Sequence, residues 1–254
     1  MENWALVTGA STGIGRELAE VLANNGFNLA LVARSQERLS VVADELTSVH
    51  KIDVKVLPQD LSRPGAAAAI FENLRGTPIS LLVNNAGFGS YGPFVEGDLR
   101  LQADMMQVNM TALVQLTGLF VQPMLARRAG RILNVASTAA FQPGPLLNIY
   151  YATKAFVFYF SYALADELRD TGVSVTALCP GLTRTDFQKR ALLHQGGAWP
   201  MMSARAVAEI GYRGMMKGRR VVIPGFLNQL GAFLARRAPW RMTSAVVRRI
   251  HKKG

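Results

Sequence analysis

The sequence predicts an α/β fold, a doubly wound parallel sheet of about seven strands with helices on both faces. Three observations predict it. Short runs rich in Val, Leu and Ile recur seven times, separated by stretches of helical periodicity, and strands apolar on both faces belong to parallel sheets covered on both sides. A glycine-rich turn, TGASTGIG at residues 8–15, lies between the first such strand and the first helix. Finally, 254 residues, half of them apolar, suffice for one large domain with a substantial core.

In chain order, residues 4–7 (WALV) form the first strand, and the helix after the turn runs through Leu18, Ala19 and Leu22 to stop at Gly26. A second strand at 28–33 precedes a charged helix from 36 to about 50; a third at 54–57 precedes a helix at roughly 66–74. Strands four, five and six fall at 79–83, 131–135 and 173–178, and a short seventh at 220–223. Longer helices are expected at about 99–127, 150–171 and 203–217. Right-handed crossovers then place ligands beyond the C-terminal ends of the strands.

Composition narrows the classes. A single cysteine, Cys179, excludes an internal disulfide framework and fits a reducing compartment. The start, MENWALVTGA, carries an acid and runs straight into the glycine turn, so no secretory leader is expected. No uninterrupted apolar run reaches the roughly 18 residues of a membrane span. The net charge of +11 is unevenly placed: residues 1–183 hold 13 Lys/Arg and 15 Asp/Glu, whereas residues 184–254 hold 15 Lys/Arg and only Asp186 and Glu209. A basic last quarter suits nucleic acid, an anionic membrane surface or simple solubility.

The turn's glycines, Gly9, Gly13 and Gly15, sit where a pyrophosphate can approach the backbone N–H groups at a helix start. After the second strand, enzymes that use the non-phosphorylated dinucleotide place an acid for the ribose 2′-hydroxyl. This chain has Ala33-Arg34-Ser35, and an arginine pairs with a 2′-phosphate. Arg34 therefore favours NADP over NAD. Asp60, after strand three, either accepts from the adenine amino group or caps the helix after Ser62. No metal site is expected.

A second motif, NNAG at 84–87, ends strand four, PGLTRT spans 180–185, and Asn109, Ser137, Tyr150 and Lys154 complete an ordered set. Together these resemble the short-chain dehydrogenase/reductase superfamily, in its single-domain Rossmann-type form with a Tyr-x-x-x-Lys motif, over about residues 5–185. ARSQERL at 33–39 is similar, more loosely, to the acyl- and steroid-reductase branch. The resemblance implies catalysis by Asn109, Ser137, Tyr150 and Lys154. It implies cofactor contacts at Gly9, Ser11, Thr12, Gly13, Ile14, Gly15, Arg34, Asp60, Leu61, Asn85, Ala86, Gly87, Tyr150, Lys154, Pro180, Gly181, Thr183 and Thr185. Tyr150 and Lys154 share a helix face, although Tyr151 could also reach the lysine; the family's serine stands 13 residues before its tyrosine, as Ser137 does before Tyr150. A free phenol titrates near 10, too high for an efficient shuttle at neutral pH. The only charge between Arg131 and Asp166, Lys154, is expected to lower it. Ser137 can donate to a carbonyl oxygen as charge grows there, and Asn109, by resemblance, holds a water behind Lys154.

The segment 141–147, between Ser137 and Tyr150, is apolar and carries two prolines. With Phe88, Phe94 and a lid at about 183–202 that includes Leu192, Leu193 and Trp199, it favours a hydrophobic ketone or alcohol; Arg184 and Lys189 keep an acyl-carrier thioester open. The expected function is therefore an NADP(H)-dependent carbonyl reductase on a lipid, acyl or steroid-like substrate. The alternatives are an NAD-dependent alcohol dehydrogenase and a non-catalytic cofactor-binding scaffold. Residues 1–225 are expected to form the catalytic domain. Residues 226–254 form a basic amphipathic extension in which Leu227, Leu230, Phe233 and Leu234 make one apolar stripe, and Trp240, Val246, Val247 and Ile250 another. Docking on the domain is the first expectation for this tail, peripheral membrane contact the second and nucleic acid the third. The apolar run at 156–160 and the resemblance point to a homodimer or homotetramer, in the cytoplasm or on the inner face of a membrane.

Overall fold

The computed structural model describes residues 3–185 and 201–252. Its strands are β1 (Trp4–Thr8), β2 (Asn28–Ala33), β3 (Val54–Pro58), β4 (Ile79–Asn84), β5 (Gly130–Val135), β6 (Val173–Leu178), β7 (Thr183–Arg184), β8 (Met202–Ser203) and β9 (Val221–Val222). Seven make one parallel sheet in the order β3-β2-β1-β4-β5-β6-β9, and β7 pairs with β8 separately. The helices are α1 (Gly13–Asn24), α2 (Gln36–His50), α3 (Ala66–Asn73), α4 (Leu99–Met106), α5 (Ala112–Ala126), α6 (Asn148–Glu167), α7 (Ala204–Met216), α8 (Phe226–Ala235) and α9 (Trp240–Lys252).

The two-residue period of a strand sends alternate side chains to opposite faces. Ala5, Val7, Leu29, Leu31, Leu81 and Val83 pack on one side with α1, α2 and α7. Trp4, Leu6, Ala30, Val32 and Leu82 pack on the other with α3 and α5. Order reverses between β1 and β4, so the crevice opens where the turn after β1 meets NNAG.

Two departures from the sequence reading matter. The helix expected at 99–127 is interrupted by a π turn, Gln107–Thr111, that joins α4 to α5 and contains the buried Asn109. The extra residue per turn re-aims that side chain toward the site. The run Leu99–Ala126 is also long and apolar enough to cross a membrane. It is nonetheless an internal helix, since Leu116, Phe120 and Met124 are packed in the core.

The first asparagine of NNAG serves the sheet. Asn84 donates to Asn134 at 2.9 Å and Thr117 at 3.0 Å, and Asn134 donates to Ser161 at 2.9 Å. This buried polar chain ties β4, β5, α5 and α6 into one register. The C-terminal tail docks: α9 turns the buried Thr243 and Val247 inward. In contrast, α8 seats only Ala232 and Ala235 and leaves Phe226, Leu227, Leu230, Phe233 and Leu234 exposed.

Candidate active site

The turn is built by close packing. Gly9 has φ +66°, and a Cβ at Gly15 would lie 2.3 Å from both the Gly9 carbonyl oxygen and the Asn85 side-chain nitrogen, a separation no side chain tolerates. That nitrogen donates to the Thr8 carbonyl at 2.9 Å and the Gly9 carbonyl at 3.3 Å. The Thr8 hydroxyl accepts from the N–H groups of Asn85 and Ala86, each at 3.0 Å. Gly9 and Gly15 thus hold the turn against NNAG, and the start of α1 is aimed into the crevice as a consequence. Ser11, Thr12, Gly13 and Ile14 surround that start, and the first turn of α1 carries no acidic residue. Thr185 closes its far side, since a Cβ at Gly13 would sit 3.2 Å from its methyl.

Arg34 is exposed directly after β2. Burial alone would raise Asp60, but the Ser62 N–H and hydroxyl, with Arg34 and Arg63 nearby, bring its carboxyl below the usual range. One Asp60 oxygen accepts both Ser62 groups, at 3.0 and 2.9 Å, closing a local turn and not capping α3, whose N-cap is Gly65; Leu61 beside it is buried. A helix start without carboxylates and an arginine at the ribose position fit a phosphorylated dinucleotide. At the opposite wall, Pro180 accepts from the Thr138 N–H at 2.9 Å, and the Thr183 hydroxyl donates to the Gly181 carbonyl at 3.0 Å. Gly181 leaves room for the Asn228 side chain of α8, which a Cβ there would meet at 2.3 Å.

The remaining candidates converge at Gly87. A Cβ there would lie 3.0 Å from the Asn109 oxygen and 3.3 Å from the Lys154 amine. Asn109 clamps the backbone of Phe88, accepting from its N–H at 3.1 Å and donating to its carbonyl at 3.0 Å. It also donates to Thr153 at 3.0 Å, whose hydroxyl donates to the Tyr150 carbonyl at 2.8 Å. Lys154 is buried and donates to the Val135 carbonyl at 2.8 Å. Ser137 follows β5, accepts from the Ala139 N–H at 3.1 Å, and its side chain bonds that of Tyr150.

The electrostatics differ from the sequence expectation. Burial pushes the Tyr150 phenol up to about 12, against the hydrogen bond from Ser137. Burial also brings Lys154 down to about 8, opposed by the neighbouring Cys179. The Lys154 amine is turned to Val135 and lies 5.8 Å from the centre of the Tyr150 ring. At that separation its charge does not overcome the desolvation of the phenolate. The protein alone therefore holds Tyr150 as a proton donor.

Tyr151 faces elsewhere. Its ring lies against Gly144, where a Cβ would come within 2.1 Å, and its hydroxyl stands 3.4 Å from His251 of α9. Burial raises this phenol too, with Tyr150 adding to the shift and Gln142 opposing it. Sequence reasoning missed Thr8, Thr153, Asn228 and His251. For Thr153 the only cue is its place between Tyr150 and Lys154, and none exists for His251, a hundred residues from its partner. The expected lid residues Leu192, Leu193 and Trp199, and Lys189 beside them, lie outside the described residues, and β7 and β8 pair at either side of that segment.

The pattern of the short chain dehydrogenase family matches residues 3–195. Among curated proteins the chain is 40% identical over 190 residues to very-long-chain 3-oxoacyl-CoA reductase-A of Danio rerio, covering 73% of this chain and 60% of that one. It is 37% identical over 194 residues to 17-beta-hydroxysteroid dehydrogenase type 3 of Mus musculus, covering 74% and 63%. The chain thus spans about three fifths of the length of these relatives. Among solved structures it resembles a short-chain dehydrogenase from Sphingobium yanoikuyae in complex with NADPH, at TM-score 0.85 and 33% identity over 93% of this chain and 94% of that one.

Proposed function

Because the chain belongs to the short chain dehydrogenase family, we propose that it is an NADP(H)-dependent oxidoreductase interconverting a carbonyl and a secondary alcohol on a hydrophobic substrate, acting as a reductase. One observation carries the reading: Asn109 and Lys154 meet beside Gly87 at the sheet's switch point, and Ser137 bonds a Tyr150 phenol that burial holds protonated. Arg34 supports the phosphorylated cofactor, as does the NADPH complex of the Sphingobium relative. The long acyl and steroid frames named for the two curated relatives support the substrate class.

The start of α1 would hold the pyrophosphate, Arg34 the 2′-phosphate, and Lys154 with Tyr150 the nicotinamide side. When bound, the dinucleotide supplies the hydride and, once oxidised, a positive charge near the phenol. Tyr150 donates its proton to the carbonyl oxygen as that oxygen becomes negative. Ser137 donates a hydrogen bond to the same oxygen and orients the substrate. Asn109 and Thr153 fix the helix that carries both Tyr150 and Lys154. The test is NADPH oxidation with a panel of bulky ketones: Tyr150→Phe should lower kcat by roughly 10²–10⁴-fold, and Tyr151→Phe should leave it within a few-fold. Retained turnover in the first with loss in the second overturns the assignment.

A second observation favours contact with an anionic membrane surface. The outward face of α8 presents five large apolar side chains, and residues 236–253 contribute seven Lys/Arg and no acid. Arg237 lies over the Phe233 ring on this face, and phospholipid headgroups complement such a mix of apolar and cationic side chains. The full chain should float with vesicles of phosphatidylcholine and phosphatidylglycerol but not with phosphatidylcholine alone, and Leu230→Glu with Phe233→Glu should abolish it. Equal flotation with both vesicles, or with neither, contradicts this reading.

A further inference from the structure

His251 sits on the last turn of α9, yet its contacts gather at the reacting end of the molecule. Its Nδ1 lies 3.0 Å from the Pro145 carbonyl oxygen and its Nε2 lies 3.4 Å from the Tyr151 hydroxyl. A carbonyl only accepts, so Nδ1 carries a proton, and in the neutral ring Nε2 accepts from the phenol. The backbone carbonyl of the same residue accepts from the Tyr91 hydroxyl at 2.9 Å. The imidazole meets the Tyr91 and Tyr151 rings edge-on, with centres 6.4 and 5.8 Å away. One residue thus joins three segments: the loop after NNAG, the loop between Ser137 and Tyr150, and the first turn of α6.

The loop it holds does not rest in a relaxed conformation. Leu146 has φ +69°, a region that side chains other than glycine rarely adopt. Its carbonyl accepts from the Gly92 N–H at 2.9 Å, and Gly144 lies flat against the Tyr151 ring. Tyr151 is itself in edge contact with Tyr150, ring centres 6.1 Å apart. Contacts from the tail also reach the start of this loop, where Arg236 lies over the Phe141 ring at 5.7 Å. The loop closes its own turn, with the Leu147 N–H donating to the Gly144 carbonyl at 3.0 Å and Pro145 preset at the second position, and the contacts from the tail add to that hold.

We propose that His251 is a positioning residue for the substrate, clamping the Gly144–Leu146 loop, Tyr151 and Tyr91 into one wall so that α9 sets how a bulky carbonyl compound is seated beside Tyr150. This deepens, and rests on, the reading of the site as a carbonyl reductase. His251 touches neither Tyr150 nor Lys154 among the contacts described, so its effect falls on substrate placement and not on proton transfer.

His251→Phe keeps a ring between the two tyrosines and removes both ring hydrogen bonds; His251→Asn restores a donor toward Pro145. Steady-state kinetics with NADPH and two ketones, one compact and one steroid-sized, should show KM for the large ketone rising at least tenfold in His251→Phe. KM for the compact ketone, kcat and NADPH affinity should stay within threefold, and His251→Asn should recover much of the loss. A KM for the large ketone within twofold of the parent overturns the proposal, as does a parallel fall in kcat, NADPH affinity and Tm. Hydrogen–deuterium exchange reads the clamp without turnover: the amides of Gly144, Leu146, Leu147, Tyr91 and Gly92 should exchange at least tenfold faster in His251→Phe. Unchanged exchange refutes the clamp even if no ketone is a substrate; faster exchange in a chain inactive on every ketone upholds the clamp and refutes the reductase reading.

Discussion

Replacing Lys154 by methionine should stabilise this protein while removing its activity. The lysine is 5% exposed, and burial brings its amine from an ordinary 10.5 down to about 8. Near neutral pH the folded chain still carries it charged. At about 1.4 kcal/mol per pH unit, holding that ammonium away from water costs about 3 kcal/mol there. Methionine fills a similar volume without charge. It leaves the Val135 carbonyl, which accepts from the amine at 2.8 Å, without that donor, a loss of about 1 kcal/mol. The net gain is about 2 kcal/mol, or roughly 5 °C in Tm for a domain of this size.

The pH dependence identifies the cause. The folded value lies below the unfolded one, so between about 8 and 10.5 the unfolded chain binds the extra proton, and wild-type stability rises with pH across that window. By about pH 10 the penalty falls below about 1 kcal/mol, while the missing hydrogen bond persists, and the variant's advantage should disappear. Urea midpoints of both proteins near pH 7 and near pH 10, with NADPH oxidation measured on the same preparations, make the comparison. A variant no more stable than its parent near pH 7, or equally favoured at both values, refutes the account of a buried, strained ammonium.

Arg34→Ala should raise KM for NADPH by roughly 10- to 100-fold, the worth of one charge-assisted phosphate contact, and leave KM for NADH nearly unchanged; equal effects on both cofactors contradict the 2′-phosphate role. The exposed Phe156, Tyr159 and Tyr162 on α6 form a face through which we propose that two copies pair. Tyr159→Arg should then shift the mass measured by light scattering from dimer to monomer, and an unchanged mass places any pairing elsewhere.

Much of the architecture is readable from local pattern. Runs of strand length rich in Val, Leu and Ile at 28–33, 79–83 and 173–178 appear as β2, β4 and β6 because side chains alternating over two covered faces leave few polar positions. The helix read at 36 to about 50 is observed as Gln36–His50, capped by Ser35, whose hydroxyl accepts from Arg38. Helical spacing leaves both Tyr150 and Tyr151 within reach of Lys154, and the 13-residue interval from Ser137 that the family resemblance supplies singles out Tyr150. The lone charge between Arg131 and Asp166 marks the lysine itself.

Other properties depend on segments distant in the chain. Whether a phenol is acidic depends on how much water surrounds it, and Tyr150 is pushed to about 12 by atoms from several elements. The π turn that aims Asn109 is not encoded by any breaker; it persists because that side chain satisfies the backbone of Phe88 and the hydroxyl of Thr153. The glycines of the turn look in sequence like a phosphate cradle, yet two of them are demanded by Asn85, some seventy residues later. The tail shows the division most plainly. Its basic and apolar pattern is written in the chain, but the fold alone seats Val247 and His251 on the catalytic domain and turns the α8 stripe outward. Periodicity specifies a helix with two faces, whereas the choice of buried face is made by shape and hydrogen-bond partners that come from elsewhere in the fold.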